Sequence, residues 1–162
     1  MTQPYHLRRA DRELTEPEAL EKILRDGKYA TIAMVHDGEP YLVTLSYGWD
    51  PSANALFFHM AQSGRKIDAL AADPRVCATV IADGGYVVGQ CKHEYESVVM
   101  TGTMRVLTDP AEARAGMRAL IGALEDDIAP LWARYNLDGE KQWGRMSIAR
   151  LDIETITGKA GS

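Results

Sequence analysis

The chain has 162 residues and a mass of 17.9 kDa, enough for one hydrophobic core and too little for two ordinary domains, so residues 1–162 are expected to form a single domain. A formal charge of -5 and a pI near 5.4 argue against a general affinity for nucleic-acid phosphates, which requires clustered Lys and Arg. No stretch approaches the roughly 18 uninterrupted apolar residues of a membrane span, and Met1–Ala10 carries arginines with no apolar run behind them, so a cytoplasmic protein is expected.

The first periodic segment is helical. Leu20, Ile23 and Leu24 share a face, Thr15 and Glu18 have capping-box spacing, and Gly27 stops the run. From Tyr29 the pattern changes to β-branched and apolar runs broken by turn residues. Tyr29–Val35, the turn His36-Asp37-Gly38 and Tyr41–Tyr47 read as a hairpin, and Asp50–Asn54 turns the chain into a short strand at Leu56–His59. A helix from about Arg65 to Ala72 follows, with Ile67 and Leu70 inward and Pro74 beyond it. Strands are expected at Val76–Ala82 and Val98–Leu107. Asp109 then opens another helix, with Pro110 at its first position and Glu112 completing a capping box. Glu125–Trp143 continues as helix or irregular structure and carries Trp132, Tyr135 and Trp143. A sixth strand alternates Leu151 and Ile153 with Asp152 and Glu154. Six mostly antiparallel strands, with a helix between the third and fourth, predict a mainly β, closed or nearly closed barrel with short peripheral helices rather than an alternating βαβ sheet.

Cys77 and Cys91 form no CxxC pair and are too few for a disulfide framework, so reduced, partly buried thiols are expected. Cys91-Lys92-His93-Glu94 places a thiol, an imidazole and a carboxylate together. A zinc site needs three or four converging ligands, however, and His6 and His36 lie in segments without ligand spacing, so a surface loop is expected and no metal. No G-x-S-x-G elbow, Walker loop or G-x-G-x-x-G turn is present, which removes the usual signatures of a serine hydrolase, a P-loop enzyme and a Rossmann dinucleotide site.

The segment Phe57–Leu70 carries the most chemical information. A strand ends at His59, a loop of small residues follows, and a helix begins with Arg65 and Lys66 in its first turn. Cations there oppose the helix dipole, whereas the free N–H groups and Gly64 suit an anion such as a phosphate. Two readings remain open on these residues alone: a solvated Arg-Lys pair on a surface helix, and a phosphate site. His59, beside that site, is either a hydrogen-bonding group of the barrel or an acid, base or polarising group. Trp132 and Trp143 are either core anchors or platforms for a flat ring or a subunit contact.

Tyr41–Tyr47, Phe57-Phe58-His59, Gly64-Arg65-Lys66-Ile67-Asp68-Ala69-Leu70 and Pro74-Arg75-Val76 together resemble the pyridoxamine 5′-phosphate oxidase-like FMN-binding split barrels, and among these the nitroimidazole-resistance (Nim) proteins. The strand Tyr95–Leu107 and the terminal Ile156-Thr157-Gly158-Lys159 extend the likeness over nearly the whole chain. The resemblance implies a six-stranded split barrel that forms a homodimer with FMN at the subunit interface. It also implies a phosphate held near Ser63, Gly64, Arg65 and Lys66, and a flavin ring along Val43, Thr44, Leu45 and Ser46, with His59 and Met60 nearby. Ser97 and Trp143 would approach from the second subunit, and His59 would be the catalytic residue of a flavin-dependent reductase acting on nitroaromatic or other small electrophilic compounds. The same family likeness admits a flavin or haem module without turnover, and a deazaflavin-dependent reductase. The C-terminal arginine-rich segment that would grip pyridoxamine phosphate is missing, which argues against vitamin B6 oxidation.

Overall fold

Alternation of apolar and polar residues sets which side of each strand is buried, and the strands pair accordingly into one antiparallel sheet. The structure, a computed structural model, describes residues 8–139, 143 and 146–161, so His6 lies outside the described residues. In chain order the elements are β1 (Glu13–Leu14), α1 (Pro17–Asp26), β2 (Tyr29–His36), β3 (Glu39–Ser46), β4 (Gly48–Asp50), β5 (Ala55–Met60), α2 (Arg65–Ala72), β6 (Arg75–Val87), β7 (Lys92–Val106), α3 (Pro110–Gly122), α4 (Ala129–Arg134) and β8 (Ser147–Gly161). The strand order is β3-β2-β6-β7-β8-β5-β4, with β1 beside β8. The six expected strands are β2, β3, β5, β6, β7 and β8; β1 and β4, of two and three residues, are additions.

The long strand β8 divides the sheet. Its first half pairs with β5 through Met60↔Ser147 to Ala55↔Asp152, its second half meets β1 at Leu14↔Gly158, and β7 lies along both. A register shift at Thr101/Gly102 marks the bend, where Ile153 follows Thr155 in the pairing and Glu154 is left over. Gly102 fits there because a Cβ would strike the Asp152 carbonyl. The sheet curls until β3 approaches β5, which makes the split barrel.

Two apolar clusters result. Inside the barrel, Ile32, Leu56, Phe58, Val80, Val98, Met100 and Leu151 are fully buried, and Ile23 and Leu24 of α1 pack against them. On the other side of β5 and β8, Phe57 and Ile148 meet Met117, Leu120 and Ile121 of α3 and Trp132 of α4. The alternation of β5 therefore serves two cores. Leu56, Phe58 and Met60 fill the barrel, while Ala55, Phe57 and His59 face the helices.

The α2 helix has the expected bounds, and α3 begins as expected, with the Asp109 carboxylate accepting the Glu112 N–H at 3.0 Å. The other half of that capping box is replaced, since Arg105 and Arg150 hold the Glu112 carboxylate. No Thr15–Glu18 box forms at α1. Pro17 takes its first position behind Glu16, because a residue without an N–H and with φ already fixed suits that place. The two thiols are free but exposed rather than partly buried: Cys77 points off the outer face of β6, and Cys91 occupies the β6–β7 turn with φ 50°. Among the described residues no helix is long and apolar enough to cross a membrane.

Candidate functional site

The end of β5, the loop after it and the start of α2 bring His59, Ser63, Gly64, Arg65 and Lys66 together along one connection. Gly64 is the N-cap residue with φ 114°, a conformation that L side chains rarely adopt, and a Cβ there would meet nothing within 4 Å. Its carbonyl accepts the N–H groups of Ile67 and Asp68 at 2.8 and 3.2 Å, and no side chain caps the helix. With no side-chain cap and open space beside Gly64, the first-turn donors are left available to an anion.

The cations differ in how they are held. The Arg65 guanidinium stacks on the Tyr41 ring of β3 at 4.4 Å, which ties the start of α2 to that strand. Arg75 is neutralised by Asp73 at 2.6 Å, and that hydrogen bond holds the Asp73 carboxyl down at about 2. Half-buried Lys66 pairs with no carboxylate among the described residues. A cation that opposes its own helix dipole and has no counter-ion is what a bound phosphate would explain.

The strand segment Val43–Ser46 splits by parity. Val43 and Leu45 pack toward the barrel, while Thr44 and Ser46 point outward. Only the backbone of the first two and the side chains of the last two are available to a flat ring. Thr44 begins a cross-strand row of Thr44, Thr31, Thr79, Val99 and Thr157, with Thr31 and Thr44 hydroxyls 3.0 Å apart. Ser97 lies on this same outer face, between Ile81 and Lys159. Met60 is 5% exposed and belongs to the barrel core, so its side chain is not free for a ligand. Trp143 is not with these residues. It packs against the second core beside Leu107, Pro110, Ala113 and Met146, with the Arg114 guanidinium 5.8 Å from its ring and its buried Nε1 unpartnered. Trp132 is a core anchor, its Nε1 donating to Asp138 at 3.0 Å.

His59 is exposed and opens onto a cavity of about 310 Å³ between β5 and the helices. Met117 and Ile121 of α3, Leu131 of α4, Leu137 and Met146 give it an apolar wall, and Tyr135 adds a second polar group. Sequence reasoning did not find Tyr41, which stacks on Arg65, or the methionines of this cavity. Spacing gives Met117 and Ile121 a helical core role, and only the tertiary fold brings them to His59. His93, placed in a surface loop by the sequence, lies in β7 with Asp83 at 3.2 Å, and among the described residues no three His, Cys, Asp or Glu side chains gather as a metal site.

Residues 16–160 match the family model described as pyridoxamine 5′-phosphate oxidase. Nothing among the curated proteins matches. Solved structures do. A candidate 5-nitroimidazole antibiotic resistance protein from Bacteroides thetaiotaomicron is 19% identical with a TM-score of 0.79, over 92% of this chain and 86% of that one. The flavocytochrome Anf3 from Azotobacter vinelandii is 18% identical with a TM-score of 0.81, over 98% and 73%. The FAD and heme binding protein from Mycobacterium smegmatis is 22% identical with a TM-score of 0.77, over 93% and 74%. At these identities the structures speak for the fold, and the family match, spanning nearly all of that fold, makes the chain a member of the pyridoxamine 5′-phosphate oxidase family of flavin-binding split barrels.

Proposed function

We propose that the protein binds FMN and uses it to reduce small electrophilic molecules such as nitroaromatic compounds, working as a homodimer with the flavin between subunits. The observation that carries the reading is Lys66, a half-buried cation at the uncapped N-terminus of α2 that pairs with no carboxylate among the described residues. Likeness to a candidate nitroimidazole-resistance protein and to a FAD and heme binding protein supports a flavin and a small-molecule acceptor.

In this reading Lys66, the first-turn N–H groups and Ser63 bind the phosphate, and Arg65, fixed on Tyr41, lends its charge. Thr44 and Ser46 offer hydroxyls on the outer face to the ring, and Ser97 does so from the second subunit. FMN supplies the hydride and electron chemistry when bound. His59 holds its imidazole toward the cavity, where it donates a hydrogen bond to the acceptor and delivers a proton.

Titrating FMN into the protein and into Lys66→Ala, followed by visible absorption, tests the site. Loss of one charge-assisted contact of about 1.5–3 kcal/mol predicts roughly 10- to 100-fold weaker binding. Equal affinity would remove the phosphate from α2. A second reading, a flavin or haem carrier without turnover, draws on the flavocytochrome likeness and on a His59 imidazole that makes no hydrogen bond among the described residues. NAD(P)H-driven reduction of a nitroaromatic that disappears in His59→Ala while FMN stays bound decides for the enzyme.

A further inference from the structure

Two arginines from distant parts of the chain line one cleft. Arg25 stands in the last turn of α1 and Arg118 in α3, and the cleft that both border, of about 400 Å³, has Tyr47 and Trp49 in its wall. Gly48 sets this arrangement. A Cβ there would strike the backbone of Ala119 and Leu120, so glycine lets β4 lie directly against the C-terminal half of α3. Trp143, in contrast, packs at the other end of α3, beside Pro110 and Ala113.

A cation in the last turn of a helix offsets the helix dipole, which accounts for Arg25 on grounds of stability. Arg118 has no such reason, since it precedes the last turn of α3. Its only partner among the described residues is the Trp132 ring, on which the guanidinium lies at 4.0 Å; stacking uses the flat side of the group and leaves its N–H edge free. Arg25 meets Glu21 at 3.9 Å, a weak contact between exposed side chains. The Asp26 carboxylate is taken by Lys22 at 2.9 Å, and among the described residues no carboxylate lines the cleft. Two guanidinium groups brought to one cleft repel each other, and an anion between them turns that repulsion into attraction.

The lining sets the rest of the ligand. The Nε1 atom of Trp49 is buried and has no hydrogen-bond partner among the described residues, so the cleft meets the hydrocarbon of the indole rather than its N–H. With Leu24, Ala119 and Ala123 it makes an apolar wall suited to a flat ring. An apolar cavity of roughly 150 Å³ accommodates benzene, so this one has room for two fused rings with a substituent. We propose that the cleft is a second ligand site, separate from the start of α2, that takes a planar organic carboxylate with its rings on Trp49 and its carboxylate on Arg25 and Arg118. Binding there is independent of the flavin reading.

Indole N–H signals in ¹⁵N NMR give a local readout, one for each of the three tryptophans. 2-Naphthoate should shift the Trp49 signal saturably and leave that of Trp143 in place. Neutral 2-naphthamide, of the same shape, should bind at least about tenfold more weakly for want of a charge. Arg25→Gln and Arg118→Gln, at exposed positions outside both cores, should each weaken naphthoate by about five- to tenfold. Ala123→Glu, which adds a carboxylate to the exposed rim, should weaken it further still. Saturating FMN should leave naphthoate binding unchanged. A Trp49 signal that stays in place or never saturates, equal binding of the two probes, or shifts that survive both arginine substitutions would overturn the proposal. So would competition by FMN, which merges the cleft with the flavin site. A protein that takes naphthoate but no FMN keeps the cleft and sinks the flavin reading, whereas FMN bound without any naphthoate-induced Trp49 shift sinks the cleft alone.

Discussion

Tyr47 shows how much one side chain settles. It is 2% exposed, stands between β3 and β4, and its hydroxyl donates to the Leu24 carbonyl at 2.7 Å. That carbonyl belongs to the last turn of α1, where no later helical N–H can reach it, so Tyr47 caps α1 from the barrel. Burial raises the phenol's pKa, which keeps the donor protonated at any ordinary pH. Tyr47→Phe leaves a buried carbonyl without its donor and should cost about 1–2 kcal/mol, measured as a lower urea midpoint with unchanged slope; a shift within error would mean that water replaces the hydroxyl. The residue also explains Gly27. The sequence marks it as a helix stop, and the helix does end there, but its φ is -69°. Glycine is needed for space, because a Cβ would lie 2.5 Å from Tyr47 Oη and against Val80. Such reasons belong to tertiary neighbours and leave no local trace. Gly64, in contrast, was legible, because a glycine before two cations at a helix start already suggests an open backbone.

At the scale of elements, local chemistry and tertiary pairing divide the work. The bounds of α2 and the start of α3 were readable from Gly64, Asp109 and Pro110, since capping is a contest among adjacent residues. The extent of β6 and β7 was not, because Gly84, Gly85 and Tyr86 look like turn material until the long hairpin pairs Gly85 with Glu94 and Tyr86 with His93 and leaves Gly84 at the register shift. The role of Glu112 was half legible. Its backbone N–H is capped as the spacing suggests, yet its carboxylate joins α3 to the barrel through Arg105 of β7 at 2.5 Å and Arg150 of β8 at 3.1 Å. The Arg105 hydrogen bond, helped by its charge and by Arg150, pulls the Glu112 carboxyl below its ordinary 4.5. A lowered folded value means that the stabilisation is complete above 4.5 and disappears as pH falls through the folded value. The side chains are partly exposed, so Glu112→Gln should cost only about 1 kcal/mol at pH 7. Thermal unfolding should show that gap constant from pH 7 to 5 and closing on further acidification. A gap that persists at the lowest pH would assign the effect to packing.

The whole molecule leaves one side of its sheet bare. Tyr29, Val35 and Leu42 on β2 and β3 are more than half exposed, as is Ile81 on β6, and Val99 of β7 is 45% exposed. Among them run the threonines of the Thr44–Thr157 row and Ser97, so the face is broad, apolar in patches and free of carboxylates along that row. Patches of this kind on a sheet mark association surfaces. The proposed flavin ring lies on this face, at Thr44 and Ser46, and would be half open to water on a lone chain. In the proposed dimer, a two-fold pairing of such faces would cover the apolar residues and the ring together and would bring each Ser97 toward the other subunit's flavin. Ile81→Lys with Val99→Lys tests this directly, because both positions are exposed in the single chain and the substitutions should leave the barrel folded. Across a two-fold axis they set like charges against each other. Sedimentation should give twice 17.9 kDa for the parent and 17.9 kDa for the double variant. Lysine is the informative choice: added positive charge attracts an anionic flavin, so FMN lost along with the dimer must be lost for want of the second subunit. A double variant that stays dimeric would move the interface to another face, and a monomer that keeps FMN at parental affinity would confine the flavin site to one chain.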